Sequence, residues 1–262
     1  MRLLIRFSEN TSYISTINQH LIDSYIYHKC LKDDKEIHNA KNDYCISHLY
    51  GGKLNKNNNT INFPNGAFIL VTSQKEEFLN KIILGVLNNV DFIGGMKFKT
   101  FEFISEEFIN GWNYFATLSP FIVKEYISKK EYIFFVFNDK AFLNKASENV
   151  KQKIKVMEEK EFSEILTNHT KNKLGKIYSS IDLKDFKVEV KTHPSHKIKT
   201  IFQQYDHENK KSVVNYANQC HVNIFCSKEI AEIIYNLGIG QSTGSGFGTI
   251  YKTENHKLYK TF

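Results

Sequence analysis

The chain has 262 residues, 41% hydrophobic and 24% charged, the proportions of a folded protein with a sizeable core, which excludes a disordered chain. A formal charge of +7, carried by lysine with only Arg2 and Arg6 as arginines, points to an anionic partner. Cys30, Cys45, Cys220 and Cys226 form no CxxC pair, which argues against a zinc ribbon; no apolar stretch has the length of a membrane helix or the form of a signal peptide, so a soluble cytoplasmic protein is expected.

Taken in chain order, Leu3, Ile5 and Phe7 alternate with Arg2, Leu4 and Arg6 as a first strand. A helix beginning near Ser15 carries Ile14, Ile17, Leu21, Ile22, Tyr25 and Ile26 on one face. At about 100° per residue Tyr27 points away from that face, toward solvent or a cleft. Residues 32–43 are too charged for a core and contain His38 and Lys41. Tyr44 to Tyr50 reads as a second strand stopped by Gly51-Gly52, Asn55 to Asn59 as a turn, and Phe68 to Val71 as a third strand. A second helix is defined by Phe78, Leu79, Ile82, Ile83, Val86 and Leu87, and a fourth strand by Phe92 to Ile104 with an irregularity at Gly94-Gly95. The order βαββαβ is that of a ferredoxin-like unit.

A second unit starts near Trp112. Tyr114 to Val123 is strand-like but bent at Ser119-Pro120, Tyr132 to Phe137 is a short extra strand, and a helical, polar region runs to about Ser179 through Ile154, Met157, Phe162 and Leu166. Strands follow at 186–190, 198–202, 213–214 and 222–225, then a helix at 227–237 and a last strand at 249–251. With one added hairpin this is βαββαβ again. The expected fold is therefore α+β, two tandem ferredoxin-like domains spanning 1–110 and 111–262, with a C-terminal glycine-rich loop.

That loop, between Asn236 and Ile250, holds five of the chain's 13 glycines: Gly238, Gly240, Gly244, Gly246 and Gly248. It runs from helix to strand, whereas P-loops and dinucleotide fingerprints run from strand to helix, so the phosphate site at a helix N-terminus is excluded. Gly238 reads as a helix C-cap. The remaining glycines, with Gln241, Ser242, Ser245 and Phe247 among them, exceed what a cap requires and suit backbone contact with an extended anion. Elsewhere, His193 and His196 are separated by a proline that spoils a helical metal pair, and Cys220, His221 and Cys226 lack a fourth ligand, so no metal site and no cofactor is expected.

The Arg2-to-Phe7 strand, Thr117-Leu118-Ser119-Pro120, and Gly238-x-Gly240-x5-Gly246-Phe247-Gly248, in that order, resemble the CRISPR repeat-RNA processing endoribonucleases of the RAMP superfamily; the Ile46-to-Gly52 strand end is similar to another family feature. The resemblance spans the chain at the level of element order and is most specific at its C-terminal end. It implies metal-independent cleavage, in which a ribose 2′-hydroxyl attacks the adjacent phosphate to leave a 2′,3′-cyclic phosphate and a 5′-hydroxyl. It assigns His38 to proton transfer, Tyr27 to a supporting role and Lys41 to the charge of the phosphorane, with His48 the rival histidine and Lys29 and Lys53 the rival lysines. The implied partner is CRISPR repeat RNA, as precursor and mature guide, with a CRISPR effector complex or a homodimer as further assemblies and no membrane. The loop from Gly238 to Gly248 would hold RNA. Lys151, Lys153, Lys155, Lys171, Lys173 and Lys176 either clamp a duplex stem or form a solvated helical face. A non-catalytic RAMP-type RNA-binding subunit is the alternative, and a nucleotide-binding enzyme is disfavoured by the helix-to-strand order.

Overall fold

The structure is a computed structural model that describes residues 1–16, 18–32, 43–128, 131–137, 139–191, 197–206 and 211–253. In its N-terminal part the elements are β1 (Arg2–Phe7), β2 (Ile14–Ser15), α1 (Gln19–Ser24), β3 (Tyr44–Ile46), β4 (Lys53–Asn55), β5 (Thr60–Asn62), β6 (Ala67–Ser73), α2 (Glu76–Asn88) and β7 (Phe98–Ile104). β3, β6, β1 and β7 form one antiparallel sheet in that order, the strand order of a ferredoxin-like unit. Alternation puts Leu3, Ile5, Phe7, Ile69 and Val71 on the helix-covered face, where they pack with Ile22, Leu79 and Ile82. α2 starts on Glu76 and Glu77, acidic residues suited to the positive end of the helix dipole.

The second part repeats the pattern with insertions. β8 (Gly111–Thr117) is followed by β9 (Lys124–Tyr126), β10 (Tyr132–Phe137), α3 (Lys140–Lys145), α4 (Glu148–Lys151), β11 (Ile154–Met157) and α5 (Glu159–Ile177). Then come β12 (Lys187–Lys191), β13 (Lys197–Asp206), β14 (Lys211–Gln219), β15 (His221–Cys226), α6 (Lys228–Leu237) and β16 (Ile250–Lys252). β12, β15, β8 and β16 form the second antiparallel sheet, again in ferredoxin-like order. β9 to β11 make a small side sheet and β13–β14 a hairpin. Phe115, Phe162, Leu166, Val190, Val222, Ile224 and Ile234 fill the second core.

Several elements differ from the sequence expectation. The helix expected from Ser15 begins at Gln19, because Ile14 and Ser15 pair with Ile61 and Thr60 of β5. The turn at 55–59 is the tip of the β4–β5 hairpin. Ile154 to Met157, expected within a helical region, is β11, paired parallel to Phe134–Phe137; burial of Ile154 and Met157 beside that strand overrides local propensity. The long strand expected at 114–123 stops at Thr117, after which Phe121 and Ile122 make only single bridges to Asn218 and Gln241. The strand expected from Phe92 begins at Phe98, after a 3₁₀ turn at Ile93–Gly95. No helix of the described residues is long and apolar enough to cross a membrane.

The two sheets are joined by buried polar contacts. Arg2, 2% exposed, donates through Nη1 to Ile250 O at 2.6 Å and through Nη2 to Tyr235 O, with its guanidinium 3.5 Å from the centre of the Tyr235 ring. Thr72 Oγ1 donates to Asn236 O. β1 is thus buried on both faces along most of its length, although its sequence alternates like a strand with one face in water.

Candidate functional site

The glycine-rich segment is the seam between the two parts. Thr243 Oγ1 donates to Tyr44 O at 3.2 Å, and Cys45 Sγ lies 3.1 Å from Thr249 Oγ1 and 3.6 Å from Phe247 O. Phe247 is fully buried, its ring edge-on to His48 at 6.0 Å between centres. A Cβ on Gly244 would come within 2.7 Å of the Tyr44 ring, and one on Gly246, whose φ is +90°, within 2.3 Å of the Gln19 amide. These glycines leave room for side chains of the other sheet as well as permitting positive φ. Gly238 caps α6 as expected, its N–H donating to Ile234 O at 2.8 Å. Gln241, Ser242 and Ser245 are the partly exposed members of the loop, and Gly240 and Gly248 are buried.

α1 and the π-helical turn that continues it, Tyr25–Cys30, carry Gln19, Asp23 and Tyr27 about one turn apart at this seam. Gln19 Nε2 donates to Asp23 Oδ1 at 3.0 Å, and burial pushes the Asp23 carboxyl up to about 7. The Tyr27 and Tyr44 hydroxyls share a hydrogen bond. Burial raises both phenols above their ordinary range, so both stay protonated at neutral pH; one donates to the other, and neither is a base. The last turn of this helix, Tyr25–Cys30, is π-helical, with Leu31 N–H donating to Ile26 O, five residues back. Tyr27, in this turn, is half-buried and packs against the core beside Tyr44.

His38 and Lys41 lie outside the described residues. The description stops after Lys32 and resumes at Asp43, next to Tyr44, the residue that meets Tyr27 and Gly244. Lys29 and Lys53 are exposed.

His48 sits on the other side of Phe247. Its Nε2 is sealed from solvent with no hydrogen-bond partner among the described residues, and burial lowers its pKa to about 4. Unfolded, the imidazole titrates near 6.5 and takes up a proton that the folded form refuses. The stability from this group is therefore complete above pH 6.5 and lost as pH falls toward 4. Replacing it by phenylalanine keeps the ring and removes the titration. Urea unfolding at pH 7 and pH 5 should show wild type losing ~2 kcal/mol more than His48→Phe over that interval. Equal losses would mean that His48 titrates alike in both states.

Sequence reasoning missed Gln19, Asp23 and Tyr44 at this seam. The i, i+4, i+8 spacing of Gln19, Asp23 and Tyr27 was available as a signal, but nothing local marks Tyr44. It also missed His169, which the structure brings to the loop from α5: its Nδ1 is 3.4 Å from Gln241 Nε2.

A family model described as CRISPR associated protein Cas6, C-terminal, matches residues 103–251. Among solved structures, the chain is similar to one described as a RAMP protein binding different RNA substrates, with TM-score 0.72, 16% identity and coverage of 97% of this chain and 100% of that one. It is similar to one described as CRISPR associated protein Cas6, at TM-score 0.70 and 17% identity over 97% and 99% of the two chains. The product of a Cas6-related gene from Pyrococcus furiosus gives 0.72 and 17% over 98% and 99%. At these identities the structures establish the fold. A search of curated proteins returned no match.

Proposed function

The chain belongs to the CRISPR-associated Cas6 family, and from that membership we propose that it is an endoribonuclease that cuts CRISPR repeat RNA into guide RNAs. The observation that supports the proposal is the seam itself, where Tyr44 meets both Tyr27 and the glycine-rich segment at Gly244. Residues 1–110 supply the reacting groups in this reading and residues 111–262 hold the RNA.

The reaction breaks the P–O5′ bond as the 2′-oxygen bonds to phosphorus. One group takes the 2′-hydroxyl proton, another protonates the departing 5′-oxygen, and cationic or donor groups meet the charge on the phosphorane oxygens. His38 is the group for proton transfer, because an imidazole exchanges protons near neutrality. Tyr27, held by Tyr44, is a protonated phenol and serves as a hydrogen-bond donor to a phosphate oxygen. Lys41 supplies charge. None of these roles calls on a metal.

The test is cleavage of a repeat RNA in EDTA, with a second substrate carrying 2′-deoxyribose at the scissile nucleotide. The expected result is cutting of the first, with a 2′,3′-cyclic phosphate end, and none of the second. Cutting that needs added metal, or that survives the deoxy substitution, rejects this chemistry. Tight binding with no cutting would favour an RNA-binding RAMP subunit that holds guide RNA in a CRISPR effector complex.

A further inference from the structure

One side of the glycine loop is closed by the N-terminal sheet. Its other side, from Gly240 to Thr243, opens on a cleft of about 580 Å³ against α5 and β9. Lys124, Lys173, Lys176 and His169 line that cleft, and Glu125 is the carboxylate among its lining residues. Gln241 organises the floor. Its N–H donates to Ile122 O at 2.9 Å and its Nε2 to Lys124 O at 2.9 Å, while Oε1 is buried with no hydrogen-bond partner among the described residues. Lys173 is committed to the loop, with Nζ 3.0 Å from Leu237 O, 3.4 Å from Gly238 O and 3.2 Å from Thr243 Oγ1. It anchors the loop and adds its charge to the cleft from below. At the rim the Tyr126 ring is 62% exposed, with the Lys124 ammonium 5.6 Å from its centre.

We propose that this cleft binds a phosphodiester of single-stranded RNA through Lys124, His169 and Lys176, with a flanking base stacked on Tyr126. The proposal rests on the RNA-processing reading above. Lys124 and Lys176 beside one carboxylate, with the buried Lys173 charge beneath the loop, select an anion, and an exposed aromatic ring beside them suits a base next to its phosphate better than a free phosphate ion. Tyr27 is not among the residues that line the cleft, and in this proposal the cleft holds the strand without taking part in the cut.

His169 also gives the cleft a pH response. Burial depresses its pKa, Glu125 on β9 raises it and Lys176 on its own helix lowers it, with Lys124, Lys173 and Gln241 completing the surroundings. A bound phosphate favours the imidazolium, so binding takes up a proton and tightens as pH falls.

The test is fluorescence anisotropy with labelled repeat RNA across a salt series, each variant first checked for wild-type melting. The double variant Lys124→Met/Lys176→Met should bind at least about tenfold more weakly, and its plot of log K against log salt should be shallower by about 1.4, from ~0.7 per lost contact. Tyr126→Ala should cost about tenfold. His169→Gln should flatten the rise in affinity as pH falls from 7.5 to 6. Lys81→Met, on the outer face of α2, should change nothing. A folded double variant with wild-type affinity and salt slope overturns the cleft as a site while the wild type's binding still supports the RNA reading. Unchanged affinity in Tyr126→Ala alone overturns the stacked base. A wild-type protein that binds no repeat RNA overturns the reading and this inference together.

Discussion

His38→Ala is expected to slow cleavage of repeat RNA about 10²–10⁴-fold while leaving its affinity nearly unchanged, the signature of lost general acid–base help. The described groups around the seam narrow the choice. Tyr27 and Tyr44 have phenols raised by burial and cannot take a proton at neutral pH. Burial lowers the pKa of His48 to about 4 and seals its Nε2 from solvent, which makes it a poor acid at neutral pH. His169 lines the cleft beside Gln241. His38 lies outside the described residues, between Lys32 and Asp43, and its assignment rests on the resemblance and on the suitability of histidine for proton transfer near neutrality. Single-turnover cleavage in EDTA, beside binding measured with the 2′-deoxy substrate, separates the two effects. A variant that cuts at close to the wild-type rate removes His38 from the mechanism.

Gly248→Ala is expected to destabilise the protein by about 2–5 kcal/mol, from ~1–2 for a non-glycine residue in the left-handed region and ~1–3 for overpacking. Gly248 has φ +73°, and a Cβ there would lie 1.9 Å from Ile239 O. The obstacle is backbone, and it cannot step aside. Ile239 N–H donates to Gly248 O at 2.9 Å, and Gly248 N–H donates to Pro120 O at 2.9 Å, so any shift breaks the bonds that close the loop. Urea unfolding gives the loss directly. Gly175→Ala is the contrasting control, since a Cβ at Gly175 of α5 meets nothing within 4 Å and alanine is the better helix former. A Gly248→Ala protein as stable as wild type would mean that the loop relaxes around the methyl, and the tight clasp described here would be wrong.

How much of this was readable in the residues depends on the range of the interaction. The alternation of Leu3, Ile5 and Phe7 and the helical spacing of Ile230, Ile233, Ile234 and Leu237 are local, and both elements stand where the pattern puts them. Tyr27 stands in a π-helical turn, half-buried at the seam, a setting that a period of about 100° per residue does not specify. β11 was read as helix because its partner, β10, decides its conformation through parallel pairing. The seam was legible only at one end. The glycines announced a close approach, but what approaches them did not follow from their spacing.

By itself the sequence determined two βαββαβ units, a closing glycine-rich segment and a cationic surface, because periodicity, turn chemistry and charge are properties of neighbouring residues. The tertiary structure alone decided that the glycines make room for Tyr44 and Gln19, that Arg2 is sealed between the sheets, and that His169 and Lys124 share a cleft with Gln241. Thr243 and Tyr44 are 199 positions apart in the chain, and Cys45 and Thr249 are 204 apart. No local period encodes such pairs; they exist because two independently patterned sheets bury their facing edges against one another.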